Sequence, residues 1–280
     1  MVAEKAEERI DELRGVAREI RFQIVDMVHE AQSGHISPGF SAADIMAALY
    51  FELMRIDPKN PSAPERDRFV LSKGHACPVL YATLALRGYF PVEELKTLRR
   101  LGTRLQGHPV AGYLPGVDAT TGSLGMGASQ SLGIALEARL TGKQYDVWAL
   151  LGDGELNEGL IWETAAAAAK YKLGNLVFIV DRNGLQTDGS CEVVMPMEPI
   201  DKKFAAFNWH VLKMDGHNMP EILATLRAAR EFRTGPVCVI AKTIKGKGVG
   251  FMENSLEWHS KPPNDEQYAK AVAELRGGQA

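Results

Sequence analysis

Two apolar runs end in polar turns that could hold a metal ion. Asp153 follows the first, in LLGDGELNEG (residues 150–159), and Asn183 follows the second, in NLVFIVDRNG (residues 175–184). One carboxylate, one amide oxygen and neighbouring backbone carbonyls form a hard, oxygen-only donor set. Such a set suits magnesium, which keeps few protein ligands and completes its octahedron with phosphate oxygens and water. Gly154 leaves room for phosphate beside the metal, and a helix opening near Asn157 would aim free N–H groups at that anion. Either turn alone is ordinary; what singles them out is their pairing, about 28 residues apart, at consecutive strand ends.

The seven histidines add a second chemistry. His29, inside a helical stretch, and His210, at the start of a strand, read as structural. His35, His75, His108 and His259 each lie in a polar or glycine-containing loop: SGHISPG, LSKGHACPVLY, QGHPVAGYLPG and EWHSK. Together they suggest a polar pocket lined with imidazoles, which donate to phosphate or sugar oxygens and move protons near neutral pH.

The elements that must position these groups alternate. RFVLS, YDVWALLG, NLVFIVD, WHVLKM and PVCVIAKT are short Val/Ile-rich runs, with helical stretches SLGIALEARL, ETAAAAAKYK and EILATLRAAR between most of them. This pattern implies an α/β fold: right-handed crossovers and a mostly parallel sheet buried on both faces by flanking helices, in three layers. Ligands of such sheets bind outside the carboxyl ends of the strands, where Asp153 and Asn183 fall. Residues 4–33 form an amphipathic helix through Ile10, Leu13, Val16, Ile20, Ile24 and Met27. A second helix is expected from Ser41, with Asp44 as a shortened capping box, through IMAALYFELM. DPKNPSAP is a loop. The alanines at 165–169 are expected to let their helix lie close to the sheet. Residues 102–127 hold seven glycines and two prolines, an irregular segment of the kind that usually carries function.

The whole chain sets the limits. It has 280 residues, 45% apolar and 24% charged, with a net charge of −3. No basic stripe alternates with aromatics, so nucleic acid is not expected as a partner. Three scattered cysteines argue for a reducing, cytoplasmic setting. The charged N-terminus does not read as a signal peptide, and no apolar run is long enough for a membrane span. A single unit over 1–280 is expected, with an N-terminal helical segment (about 1–56) and a C-terminal tail (about 258–280).

GDG followed after some 25–30 residues by an asparagine resembles the thiamine diphosphate motif. By that resemblance Asp153, Asn183 and the backbone carbonyl of Leu185 hold Mg2+, with Ca2+ or Mn2+ as substitutes, and Gly154 lies against the cofactor phosphate. SGHISPG, DRFVLSKGH, PGVDATTGSLGMG, GDGELNEG, DRNG and DGHN then occur in the order found in the N-terminal, diphosphate-binding part of transketolases. The resemblance implies that His35 and His259 contact substrate, His259 also touching cofactor. It implies that His75 meets the diphosphate and His108 the donor hydroxyls. Gly122, Ser123 and Leu124 approach the aminopyrimidine through backbone, and Glu158 supports the cofactor-site network. His217, in DGHN, is either a turn residue or part of the site. The stretch from KTIKGKG to EWHS differs from the fuller-length enzymes.

Those enzymes carry a further domain that supplies a carboxylate to activate the pyrimidine, and no second α/β pattern follows here. The expectation is the N-terminal subunit of a split transketolase. A separate C-terminal chain would complete it in an α2β2 assembly acting on sugar phosphates of the pentose phosphate type. The rival readings are the corresponding half of another thiamine diphosphate enzyme (a 2-oxo acid dehydrogenase or a deoxyxylulose phosphate synthase), a transketolase for an unusual ketose phosphate, and a silent cofactor-binding paralogue.

Overall fold

The computed structural model describes residues 2–277. The expected strands form β1 (Arg68–Leu71), β2 (Val147–Gly152), β3 (Leu176–Arg182), β4 (His210–Asp215) and β5 (Val237–Lys242). They pair in the order β1-β2-β3-β5-β4, every neighbour parallel. The helices are α1 (Val2–Ala31), α2 (Ser37–Phe40), α3 (Ala43–Ala48), α4 (Cys77–Arg87), α5 (Met126–Thr141), α6 (Gly159–Lys170), α7 (Cys191–Val194), α8 (Ile200–Ala206), α9 (Met219–Glu231) and α10 (Asp265–Gly277).

The continuous apolar runs have a physical cause. Trp148 and Leu150 of β2 and Val177 and Ile179 of β3 pack into one core with residues of α1, α3, α4, α9 and α10. Val147, Ala149 and Leu151, with Phe178 and Val180, pack into a second core with α5, α6 and α8. A strand buried on both faces has no polar side to show, so the sequence loses its period-two alternation. The result is the expected three-layer α/β architecture.

Several local expectations are corrected. The helix expected from Ser41 onward is broken: α3 starts at Ala43, and residues Leu49–Leu53 open into a π turn. Ser41 does not cap it. Its hydroxyl donates to Asp181 at 2.6 Å, while Asp44 pairs with Arg21. Tertiary partners thus took both polar groups away from the helix terminus. The alanines of α6 lie close to the sheet as expected, with Ala165 and Ala168 buried in the second core against β2 and β3, and α6 also runs along α5. The expected tail is structured: α10 packs on α1, with Ala271 and Leu275 buried and Tyr268 Oη donating to Asp26 at 2.7 Å. Residues 278–280 of that tail lie outside the described residues. His29 stacks on Tyr268 at 4.2 Å and His210 on Phe232 at 4.2 Å, structural roles as expected. Among the described residues no helix is long and apolar enough to cross a membrane.

Candidate active site

Gly152 of β2 pairs with Asp181 of β3, so the two strands end level. Asp153 and Asn183 therefore leave the sheet side by side at its carboxyl edge. A cavity of about 140 Å3 opens there, walled by Asp153, Gly154, Asn183, Leu185, His75, His259 and Leu124 among others. Seven positions picked from sequence thus share one wall, although they come from five separate segments.

Asp153 is 5% exposed. Its oxygens accept N–H bonds from Gly154 at 2.8 Å and Gly184 at 2.5 Å, and no cationic side chain bonds it among the described residues. Burial pushes its carboxyl up, against the pull of those N–H groups. A buried carboxylate without a counter-ion is costly, and a divalent cation would supply the missing charge. Asn183 Oδ1 accepts from Leu185 N at 3.1 Å, which fixes the turn between them. One carboxylate, one amide oxygen and one carbonyl fit a hard cation that keeps open positions for phosphate. At Gly154 a Cβ would lie 2.9 Å from Gln186 Cγ, so any larger residue would have to push that side chain aside. The helix expected to open near Asn157 opens at Gly159. A single 3-10 turn, Gly154–Asn157, precedes it, and Asp153 itself occupies the Gly154 N–H.

Two lysines charge the cavity. Lys73 Nζ pairs with Asp181 and donates to the Pro38 carbonyl at 2.7 Å. Asp181 also accepts from Ser41 and Thr243, so a fully buried carboxylate joins α2, the end of β1, β3 and the exit of β5. Lys245, on the other side, has no carboxylate partner among the described residues; its ammonium reaches the carbonyls of Leu185 and Gln186, both at 3.3 Å. Burial drops its pKa to about 8, with Asp153 opposing the shift.

Three of the loop histidines form a triangle. The ring of His35 lies 5.2 Å from His75 and 5.3 Å from His259, and His75 stacks on His259 at 5.4 Å. Burial, with nearby cations, lowers His35 to about 4, His75 to about 2 and His259 to about 3. All three are neutral imidazoles at physiological pH, able to accept a proton or donate one N–H. The buried Nδ1 atoms of His35 and His259 have no partner among the described residues, which leaves them free for a ligand.

Other expected positions stand back from the cavity wall. Gly122 meets the His75 loop: a Cβ on Gly74 would lie 2.7 Å from Gly122 N. His108 is exposed and packs against Gly122, where a Cβ would lie 2.9 Å from its ring. Ser123 is exposed. Glu158 is exposed as well and does not line the cavity of this chain. The carboxylate at that corner is Glu155, 2% exposed, which accepts from Ser72 Oγ at 2.5 Å, Gly125 N at 2.9 Å and Gly152 N at 3.0 Å. The 3-10 turn after Asp153 rotates it inward. His217 resolves as structural: its Nδ1 bonds Asp44 at 2.8 Å and its Nε2 accepts from Ile244 N at 2.8 Å. Burial notwithstanding, Arg21 and His217 hold the Asp44 carboxyl down at about 2. Sequence reasoning missed Lys73, Lys245, Asp181 and Glu155. The signal was present in LSKGH, IVDRNG and GDGE, each beside a residue already singled out, and in KTIKGKG, a stretch noted only for its departure from the fuller-length enzymes.

Comparison with known proteins agrees with this geometry. Residues 13–277 match the family described as transketolase, thiamine diphosphate binding domain. A 6-deoxy-6-sulfo-D-fructose transketolase subunit from Clostridium sp. (strain MSTE9) is 43% identical over 270 residues, covering 96% of this chain and 98% of the relative. An apulose-4-phosphate transketolase subunit from Phocaeicola vulgatus is 42% identical, covering 91% of this chain and 90% of the relative. Human transketolase is 40% identical over 96% of this chain, which spans 43% of the human protein. The solved transketolase of Campylobacter jejuni superposes with a TM-score of 0.89 at 34% identity, covering 94% of this chain and 42% of that one.

Proposed function

Because the chain belongs to the transketolase family, through its thiamine diphosphate-binding part, we propose that it is the diphosphate-gripping subunit of a two-chain transketolase. It would move a two-carbon unit from a ketose phosphate to an aldose phosphate, working with a separate C-terminal chain in an α2β2 assembly. The observation that carries this is the single cavity that joins Asp153, Asn183 and Leu185 to His75 and His259. Support for the partner comes from relatives matched over 90–98% of their length, which are themselves named as subunits.

In this reading Asp153, Asn183 and the Leu185 carbonyl hold Mg2+. His75 and Lys245 face the diphosphate, Lys245 as a cation that lacks a carboxylate partner among the described residues. The backbone of Gly122, Ser123 and Leu124 borders the aminopyrimidine, and Glu158 acts only where the partner chain covers it. When bound, the cofactor supplies the carbanion that cleaves and re-forms the carbon–carbon bond. The chain's own residues bind, orient and protonate. His35 and His259, neutral and with free Nδ1 atoms, accept or return hydroxyl protons of the sugar. His108, nearer solvent, meets the donor hydroxyls.

A second reading concerns the donor. The relatives covered nearly end to end are named for 6-deoxy-6-sulfo-D-fructose and for apulose 4-phosphate. A specialised donor is therefore the specific form to test. The experiment is purification of the chain with its partner subunit, then a ketol-transfer assay across xylulose 5-phosphate, apulose 4-phosphate and 6-deoxy-6-sulfofructose. Transfer that requires thiamine diphosphate, Mg2+ and both chains supports the proposal. Absence of transfer from every donor by a complex that binds cofactor refutes it.

A further inference from the structure

Arg99 lies outside the cavity wall and has no carboxylate partner among the described residues. Its Nη1 donates to Ser33 Oγ at 2.8 Å, two residues before His35. Its Nη2 reaches the carbonyl of Gly107 at 3.5 Å, one residue before His108. The buried Nε has no partner among the described residues. Gly107 makes the approach possible: a Cβ there would lie 2.9 Å from Arg99 Nε and 3.2 Å from Cζ.

The surroundings fix both ends of this contact. The Gly107 carbonyl also accepts from Cys77 Sγ at 3.1 Å, and Tyr81 Oη reaches the carbonyls of Gln106 at 2.9 Å and His108 at 3.1 Å. The His108 loop is thus pinned by α4 on one side and by Arg99 on the other. Arg99 itself holds φ at 58°, left-handed for a non-glycine residue, with its N–H bonded to the Leu105 carbonyl at 2.9 Å. Such a conformation persists only where neighbouring structure over-determines it, and here the turn aims the side chain between the two histidine loops.

We infer that Arg99 is a positioning residue for the donor side of the site, bridging the loops that carry His35 and His108 and setting their separation. The inference rests on the reading of those two histidines as donor contacts. A planar guanidinium suits the task, because its fork reaches two acceptors in fixed geometry where an ammonium acts as a point charge. The unpaired charge has a further consequence. After burial, Arg99 is the main influence lowering both His35 and His108. The other titratable groups facing His35 are His108, Lys245, His75 and His259.

The test compares Arg99→Met, Arg99→Lys and Gly107→Ala. In the two-chain complex, with whichever of xylulose 5-phosphate, apulose 4-phosphate and 6-deoxy-6-sulfofructose it turns over fastest, all three should lower kcat/KM on the order of 10- to 100-fold, since misplacing a reacting group by about 1 Å costs that much. Thiamine diphosphate affinity should stay within about threefold, because the diphosphate wall is untouched. Histidine NMR titration of the single chain separates bridge from charge. Arg99→Met should raise the pKa of both His35 and His108. Arg99→Lys should keep both low yet not restore kcat/KM. Gly107→Ala guards against a misfolded Arg99 variant, because it keeps the charge and only displaces it. Normal donor kcat/KM in both Arg99→Met and Gly107→Ala would overturn the inference, as would an equal loss of cofactor affinity. If the wild-type complex turns over none of xylulose 5-phosphate, apulose 4-phosphate and 6-deoxy-6-sulfofructose, the transketolase reading is at fault. The bridge is then decided by the titration alone, and unmoved His35 and His108 resonances in Arg99→Met would refute it.

Discussion

Asp153→Ala separates a metal ligand from a structural residue. Removing the carboxylate strips the acceptor from the N–H groups of Gly154 and Gly184, a loss of about 1–3 kcal/mol for a buried donor left unpaired. It also removes a group that burial already pushes toward its neutral form, which acts in the opposite direction. The two offset, so the ligand-free variant should match wild type to within about 2 kcal/mol. The liganded state has no such offset. A buried cation deprived of its carboxylate loses about 3–5 kcal/mol, or roughly two to three and a half orders of magnitude in Kd. In thermal denaturation with Mg2+ and thiamine diphosphate at one hundred times the wild-type Kd, wild type gains about 2.7 kcal/mol. For a chain of this length that is about 5–11 °C in Tm. The variant at the same concentrations should gain about 1 °C or less. A variant that keeps the full ligand-induced rise, or one already unfolded without ligand, would show that Asp153 serves the fold and not the metal.

Other perturbations probe the remaining walls. Lys245→Met removes a buried ammonium with no carboxylate partner among the described residues, so calorimetry should show cofactor affinity down about 10- to 100-fold with the ligand-free Tm unchanged or higher; unchanged affinity would remove Lys245 from the diphosphate site. Gly74→Ala places a Cβ 2.7 Å from backbone atoms of Thr121 and Gly122, and should cost about 1–3 kcal/mol together with cofactor binding; a wild-type Tm would mean the two loops separate freely. Acid should destabilise the chain early. Unfolded histidines take protons near pH 6.5, whereas His35, His75 and His259 do so only near 4, 2 and 3, so stability falls as pH drops below about 6.5. Denaturant melts between pH 7 and 5 would show this slope, and a flat profile would mean the triangle is hydrated and open.

The sequence made some of this legible and hid the rest for identifiable reasons. Strand positions could be read because residues such as Trp148, Ile179 and Val180 must be apolar on both faces, a constraint local to each run. Asp153 and Asn183 could be read because a parallel sheet brings consecutive strand ends together whatever the side chains do. Ser41 misled, since its hydroxyl is drawn 140 positions away to Asp181, and no local cap rule foresees a partner that distant. Glu158 and Glu155 follow the same glycine turn, and only the pitch of one 3-10 turn decides which carboxylate faces inward. Arg99 was invisible because its partners, Ser33 and Gly107, carry no chemistry of their own and meet only in the folded chain.

The buried pair of Lys73 and Asp181 bears on how the molecule folds. Lys73 reaches 35 positions back to Pro38 and 108 forward to Asp181, and Asp181 reaches 62 further to Thr243. None of these contacts is local, and an unpaired charge in that place would be strongly destabilising. The two charges must therefore be buried together, late, after loops of very different length have closed. Amide protons around Ser72, Arg182 and Thr243 should then exchange in one cooperative opening rather than by separate fraying. The cavity would be lost as a unit with them, so that no partly folded form retains a usable fraction of the cofactor site.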